Sequence, residues 1–358
     1  MINLRSIGFG VTAATGLILG AGMASAENVV TVNTVQIFGT VDPAKINDYT
    51  EYMAGVNLYE ALTTLDGSGA IQPLLAESWT TSEDGLIWSF TLKEGTTFQD
   101  NSPIEAKDVV WSVNRLLAIN EGPSYLFEGV LSEGSVTEID ARTVQFQLEK
   151  TYAPFLTTTP ILFIVNSDLA AENAADGDPW AQDYIANNSI GAGAFYLDNW
   201  ERGAGMKIKA YDGYHLGWTD TGIDEVRFVV TNEEATVKAL AISGELSMSS
   251  DAQAQETYNS IGALEDYRVD KYSTATNFYL KLNNSIAPTD DVNIRKAIAY
   301  ATDYDTIRDV ILPGAPLTGP MPPIFADAYP DDLEAPFFDL AKAKEYVNAS
   351  SYAGNGPI

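Results

Sequence analysis

The sequence predicts an α/β protein of two or more lobes, on three observations. Its 358 residues exceed what one hydrophobic core organises, since single cores stop growing at roughly 250–300 residues. Hydrophobic residues make up 46% and aromatics 11%, the composition of a globular chain rather than a disordered one. Segments of period two and of period 3.6 are mixed without a strict βαβ rhythm, which points to α/β lobes rather than a barrel or sandwich. The chain has no repeat of fixed period and no low-complexity tract.

The first element is a leader. Arg5 precedes an apolar, Gly- and Ala-rich run over 7–23, and Ala24-Ser25-Ala26 offers the small side chains that a signal peptidase pocket requires. Cleavage after Ala26 is expected, with the mature chain starting at Glu27. The competing reading is an anchor, but a span needs about 20 apolar residues and this run is short. There is no cysteine to accept a lipid or to form a disulfide, so an exported periplasmic protein held by core packing alone is expected.

The β-branched "VVTVNTVQIF" then predicts a strand. "DYTEYMAGVNLYEALTTLD" predicts a helix with Met53, Val56, Leu58, Tyr59 and Leu62 on one face. "ESWTTSEDGLIWSFTLKEG" predicts two strands joined at Asp84-Gly85, with Trp79, Trp88, Phe90 and Leu92 on the buried face. "EAKDVVWSVNRLLAI" is an amphipathic helix whose inward stripe is Val109, Val110, Val113, Leu116 and Leu117, with Asn101 or Ser102 before Pro103 as its expected start. Two hairpins follow, turning at Asp140-Ala141 and over 202–205. "DEVRFVVT" is a strand, "EEATVKALAISG" a helix closed by Gly244, and "NFYLKLN" a strand. The last two helices are "VNIRKAIAYATDYDTIRDVIL", of roughly 20 residues, and "DLAKAKEYVNAS". The proline-rich run over 313–332 between them reads as a structured loop, because apolar residues are interleaved throughout.

The charge and the motifs exclude most chemistry. Forty-nine Asp and Glu face 20 Lys and Arg, for a formal net charge of −29, so nucleic acid and anionic lipid are poor partners. The single histidine, His215, reads as an isolated imidazole on a surface turn and cannot build a triad or a multi-histidine metal site. "GAGAFY", residues 191–196, lacks a third glycine and precedes a strand, so it marks a tight backbone approach rather than a phosphate loop. The acidic clusters "TSEDG" and "TDD" lack calcium-loop spacing and read as solvated turns. Paired carboxylates of a glycosidase can come from distant segments, and with this many acids no pair stands out. Tyr49, Tyr52, Tyr125, Tyr272 and Tyr279 are candidates to line a cleft, against a default of ordinary packing. No catalytic residue, metal ligand or cofactor is assigned.

"PLLAESWTTSEDGLIWSFTLKEGTTFQDNSPIEAKDVVWSV" resembles the signature region of the family 5 extracellular solute-binding proteins, the receptors of peptide, opine and nickel ABC importers. "NLYEALTTLD", "IGAGAFYLDNW" and "NFYLKLNNSIAPTDDVNIRKAIAYATDYDTI" resemble three further blocks of that family, in the same order. Asn101 stands where the family usually has a turn glycine, a change that asparagine's tolerance of left-handed backbone permits. The resemblance implies a periplasmic-binding-protein Venus flytrap: two ligand lobes joined by a hinge, plus an extra insert lobe. By matching blocks, the first ligand lobe is expected at 27–60 and 171–268, the insert lobe at 61–170, and a partial second ligand lobe at 269–358. Family members run well past Ile358, so the resemblance also implies that the last lobe is incomplete.

The same likeness implies a ligand site. "INDYTEY" aligns with a cleft-lining stretch, which nominates Asn47, Asp48 and Tyr49; Tyr125, Asn277 and Tyr279 follow from their positions beside the signature blocks. The implied function is capture of an extended small ligand, foremost an oligopeptide held by strand addition, by a monomer that delivers it to an inner-membrane ABC permease. An oligosaccharide is the alternative within the fold, and a chelated metal fits least, given one histidine. An exported hydrolase is the alternative from another class and is separated by turnover.

Overall fold

The computed structural model describes residues 28–36, 38–219, 222–250, 253–271, 277–311, 314, 319, 333 and 337–354. The expected leader, Tyr272, and all but Gly314 and Gly319 of the proline-rich run lie outside the described residues.

The chain opens with strand β1 (Val29–Thr34), helix α1 (Tyr49–Leu58) and the short strands β2 (Glu60–Ala61), β3 (Thr63–Leu65) and β4 (Ile71–Pro73). Strands β5 (Ala76–Thr81) and β6 (Ile87–Leu92) lead to helix α2 (Ala106–Ile119), a 3-10 turn over Gly122–Phe127, and strands β7 (Val136–Asp140) and β8 (Thr143–Gln147). Next come α3 (Phe155–Thr158), β9 (Phe163–Ile164), α4 (Ser167–Glu172) and α5 (Gln182–Ile185). Strands β10 (Phe195–Glu201), β11 (Gly205–Ala210) and β12 (Glu225–Val230) precede α6 (Glu234–Ile242) and α7 (Gln255–Gly262). The described residues end with α8 (Val292–Ala301), α9 (Tyr304–Thr306) with a π-helical turn over Ile307–Ile311, and α10 (Leu340–Ala349).

Two four-stranded sheets organise this order. One is antiparallel, β5-β6-β8-β7; the other is mixed, β1-β12-β11-β10, with β1 and β12 parallel. The first exists because β6 alternates: Phe90 and Leu92 point one way and are fully buried, with Phe146 and Val144 of β8 beside them. Trp79 sits opposite Phe90 with ring centroids 6.2 Å apart. The turn forms as the sequence predicts, with Gly85 at φ +70° and Asp84 Oδ1 accepting from Ser82 Oγ at 2.5 Å and Leu86 N at 3.1 Å. Val109, Val113 and Leu116 of α2 complete this core. The second core places Ala54 and Leu58 of α1 with Phe195, Met206, Ile208 and Phe228 of the mixed sheet.

The cores meet where chain approaches chain. Gly191 and Gly193 lie so close to the C-terminal end of α1 that a β-carbon on them would fall onto the carbonyl oxygens of Leu58 and Asn57 respectively. This is the tight approach expected from the glycines. Gln99 Nε2 lies within hydrogen-bond distance of three carbonyls here: Leu58 (3.1 Å), Gly193 (3.1 Å) and Phe195 (2.6 Å). Asn101, two residues on, adopts φ +69°, the left-handed backbone its side chain tolerates.

Four expectations are corrected. Helix α1 stops at Leu58, because Tyr59 is extended and Glu60–Ala61 pairs with Phe163–Ile164. Helix α2 starts at Ala106 behind Glu105, whose N–H donates to Asp108 Oδ2 at 2.9 Å, so neither Asn101 nor Ser102 caps it. The single helix expected over 292–312 is broken at Thr302-Asp303. Asp303 accepts from Thr306 N and Oγ1, at 3.0 and 2.8 Å, and starts a new turn. Residues 277–283 form no strand: no ladder pairs with them among the described residues, and Phe278 and Leu280 are each 75% exposed. Helices α8 and α10 pack together, with Ile294, Ala297 and Ala343 buried and Tyr300 stacked on Tyr346 at 5.5 Å.

Candidate ligand-binding site

The segment between β1 and α1 is short of regular structure, so side chains must shape it. Asp42 is fully buried, and its two oxygens accept from Arg115 Nη1 and Nη2 of α2 at 2.6 Å each. Arg115 Nε donates to Trp180 O at 2.8 Å, so each of its three nitrogens has a partner. Asp42 Oδ1 also accepts from Ala44 N at 3.0 Å. Glu51, in the first turn of α1, is 5% exposed and reaches back to the same segment. Its Oε1 accepts from Gly39 N and Thr40 N, both at 3.1 Å, and its Oε2 from Asn47 N at 3.0 Å.

From this base the three nominated residues emerge. Asn47 is exposed and Tyr49 is 67% exposed, while Asp48 is the N-cap of α1, its Oδ1 accepting from Glu51 N at 2.9 Å. The carboxylate of Asp48 is therefore engaged in starting the helix. Gly122 joins a second loop to the first. At φ +49°, its β-carbon would lie 2.8 Å from the carbonyl oxygens of both Ala44 and Ile46, so the two backbones touch. Lys45 Nζ and Glu121 Oε1, 3.8 Å apart, bridge the same junction. Three residues beyond Gly122, Tyr125 is 70% exposed. The structure thus places Asn47 and Tyr49 at the start of α1 and Tyr125 in the 3-10 turn of the adjoining segment.

Asn277 and Tyr279 stand on the irregular stretch 277–283, where Tyr279 is 65% exposed and Lys281 Nζ lies 5.3 Å from its ring centroid. Tyr52 is half-buried within α1 against Phe163, ring centroids 5.5 Å apart, and burial raises its phenol to about 12.

His215 is the residue the sequence misplaced. It is not an isolated surface imidazole: its side chain is 10% exposed and its Nε2 lies 2.7 Å from Glu60 Oε2, a carboxylate that is itself buried. Tyr214 Oη donates to the other oxygen of Glu60 at 2.9 Å, and burial beside that carboxylate raises the Tyr214 phenol. The pair fastens the loop after β11 to β2. The adjacent glutamate in "NLYEAL" was the only available signal, 155 residues from the histidine. Among the described residues no group of three or more His, Cys, Asp or Glu side chains is arranged to hold a metal ion.

Two exposed phenols, a carboxamide and the edges of two fixed loops suit stacking and hydrogen bonding to a ligand. The sequence profile of the bacterial extracellular solute-binding proteins, family 5, matches residues 70–357. The chain belongs to this family. A probable D,D-dipeptide-binding periplasmic protein of Escherichia coli (strain K12) is 30% identical over 292 residues, 79% of this chain and 55% of the relative. The dipeptide-binding protein of the same strain is 30% identical over 331 residues, 85% of this chain and 59% of the relative. The chain therefore spans less than two thirds of the length of these curated relatives. A periplasmic binding protein of Helicobacter pylori, solved in complex with the peptide STSA, superposes with a TM-score of 0.78 at 25% identity, covering 90% of this chain and 65% of that one. The fold is the mixed α/β, Venus-flytrap-like one of the family 5 solute-binding proteins.

Proposed function

We propose that this family 5 protein is the capture component of an ABC importer and binds an extended peptide, which it delivers to an inner-membrane permease. The observation that carries the reading is the pair of relatives named for dipeptides, at 30% identity across most of the chain. The adjoining loops with Asn47, Tyr49 and Tyr125 support it, since they offer a wall for main-chain bonding and aromatic contact. In this reading Asp48 sets the position of that wall, and Asn277 and Tyr279 are the contribution of the second ligand lobe, 269–358. The first lobe comprises 27–60 and 171–268, which hold the mixed sheet; the insert lobe, 61–170, holds the antiparallel one. The chain is exported, cut after Ala26, and works in the periplasm as a monomer. The names of periplasmic relatives support that location, and no described helix is long and apolar enough to cross a membrane.

Calorimetric titration with Ala-Ala, with Ser-Thr-Ser-Ala and with cellotriose tests the reading. One peptide bound per chain, recovered unchanged, is the expected result. At a free peptide concentration of about 100 times Kd, binding should stabilise the fold by about 2.7 kcal/mol. Binding of cellotriose alone, or hydrolysis of any probe, would overturn it.

A further inference from the structure

We propose that Glu51 is a positioning residue that sets the ligand-facing wall at Asn47–Tyr49, an inference that rests on the peptide-binding reading of that wall. Glu51 touches no ligand-facing surface: it is 5% exposed, and both of its oxygens are occupied by main-chain N–H groups. Those groups come from the two ends of one loop, Gly39 and Thr40 at its start and Asn47 at its finish. The carboxylate therefore closes the loop as a clasp. Its charge is met by three N–H dipoles and by the N-terminal turn of α1, in which it lies. In an ordinary capping box the acidic side chain returns to the N-cap amide. Here it returns one residue earlier, to Asn47, and so orients the residue that begins the wall.

Neighbouring geometry fits a clasp rather than a casual contact. A β-carbon on Gly39 would lie 2.5 Å from Glu51 Oε1, so the loop start accepts only glycine while the carboxylate stays in place. The middle of the loop is held independently, by Asp42 on Arg115 and by Gly122 against Ala44 and Ile46. With the middle fixed, loosening Glu51 frees the two ends, and the end at Asn47 carries the wall.

Two variants test this in the full chain. Glu51→Gln keeps the shape but turns one acceptor into a donor facing an N–H; Gly39→Ala displaces the carboxylate without removing its charge. Hydrogen exchange read at the amides of residues 39, 40 and 47 and in β6 and β8, with calorimetry using Ala-Ala and Ser-Thr-Ser-Ala, supplies the readouts. We expect exchange at the three clasp amides to quicken at least tenfold in both variants while β6 and β8 keep their rates. Peptide affinity should fall at least tenfold, and a control matched for loss of Tm, Val237→Ala on the buried face of α6, should bind as the parent does. Unchanged exchange at the three amides, or unchanged affinity with accelerated exchange, overturns the proposal. If the parent chain binds neither peptide, the peptide reading fails, and the exchange arm still decides whether Glu51 clasps the loop. If Glu51→Gln does not fold, Gly39→Ala decides alone.

Discussion

Asp42 and Arg115 are each almost without solvent contact, at 0% and 1% exposure, and satisfy one another with two bonds of 2.6 Å. Removing one partner strands the other charge in the interior, which costs about 3–5 kcal/mol. Arg115→Met should therefore lower the unfolding free energy by that amount in a urea titration, and the double variant with Asp42→Leu should recover most of the loss. Asp66 makes a contrasting case at the surface. The Ser68 hydroxyl first, then the amides of Ser68 and Ala70 and the Gln72 side chain, hold its carboxyl at about 2, below the ordinary 3.8. Because the folded value lies below the unfolded one, the contribution of this turn is present above pH 3.8 and is lost as pH falls through about 2. A carboxyl-carbon NMR titration should find that midpoint in the parent and a higher one in Ser68→Ala. At this scale the sequence was legible where one residue acts through its own backbone, as Asn101 and Gly85 do. It was not legible where two residues distant in sequence share a carboxylate. His215 on Glu60 is the clearest instance, and Arg115 on Asp42 another.

Elements followed their period wherever a neighbour was built to receive them. Strand β6 and helix α2 were readable because Phe90, Leu92, Val109 and Val113 repeat at two residues and at four and meet in one core. The alternating apolar side chains of 277–283 are equally strand-like, yet a strand is a property of a pair, and no ladder forms there among the described residues. The break at Thr302-Asp303 was hidden for a different reason: the apolar period continues through it, while the polar side chain of Asp303 captures the amide of Thr306. The glycine turn before β10 was read correctly because close approach leaves a mark in composition. Gly193→Ala should force Asn57 and Leu58 away from the turn and cost about 1–3 kcal/mol, by the usual penalty for overpacking, in a chemical denaturation experiment. An unchanged midpoint would show that the two backbones can part freely.

Over the whole molecule, the charge of −29 is spread across a chain with only 20 basic side chains, and most described ion pairs lie at the surface. Self-repulsion of that size opposes compaction. Raising salt from about 0.01 M to about 1 M shortens the screening length from about 30 Å to about 3 Å. A differential scanning calorimetry series should therefore show Tm rising with sodium chloride, and a flat or falling Tm would mean that the few cations already neutralise the acidic clusters locally. The mixed α/β class and the family were legible at this scale because they follow from pattern and from likeness in sequence. The division of labour within the wall was not, since only the fold reveals that Asp48 serves a helix and Glu51 a loop.

The loop over 42–46 belongs to both cores at once: Ala44 packs with the antiparallel sheet and α2, and Ile46 with the mixed sheet and α1. Selection for a new ligand therefore has more substrate to act upon than the side chains a ligand meets. Replacements at Val113 or Leu116, hidden under α2, would tilt Ala44 and with it the register in which Asn47 is presented. A library screened for altered preference should yield changes there as readily as at Tyr49, and the antiparallel sheet with α2 would then be a tuning part inherited with the scaffold.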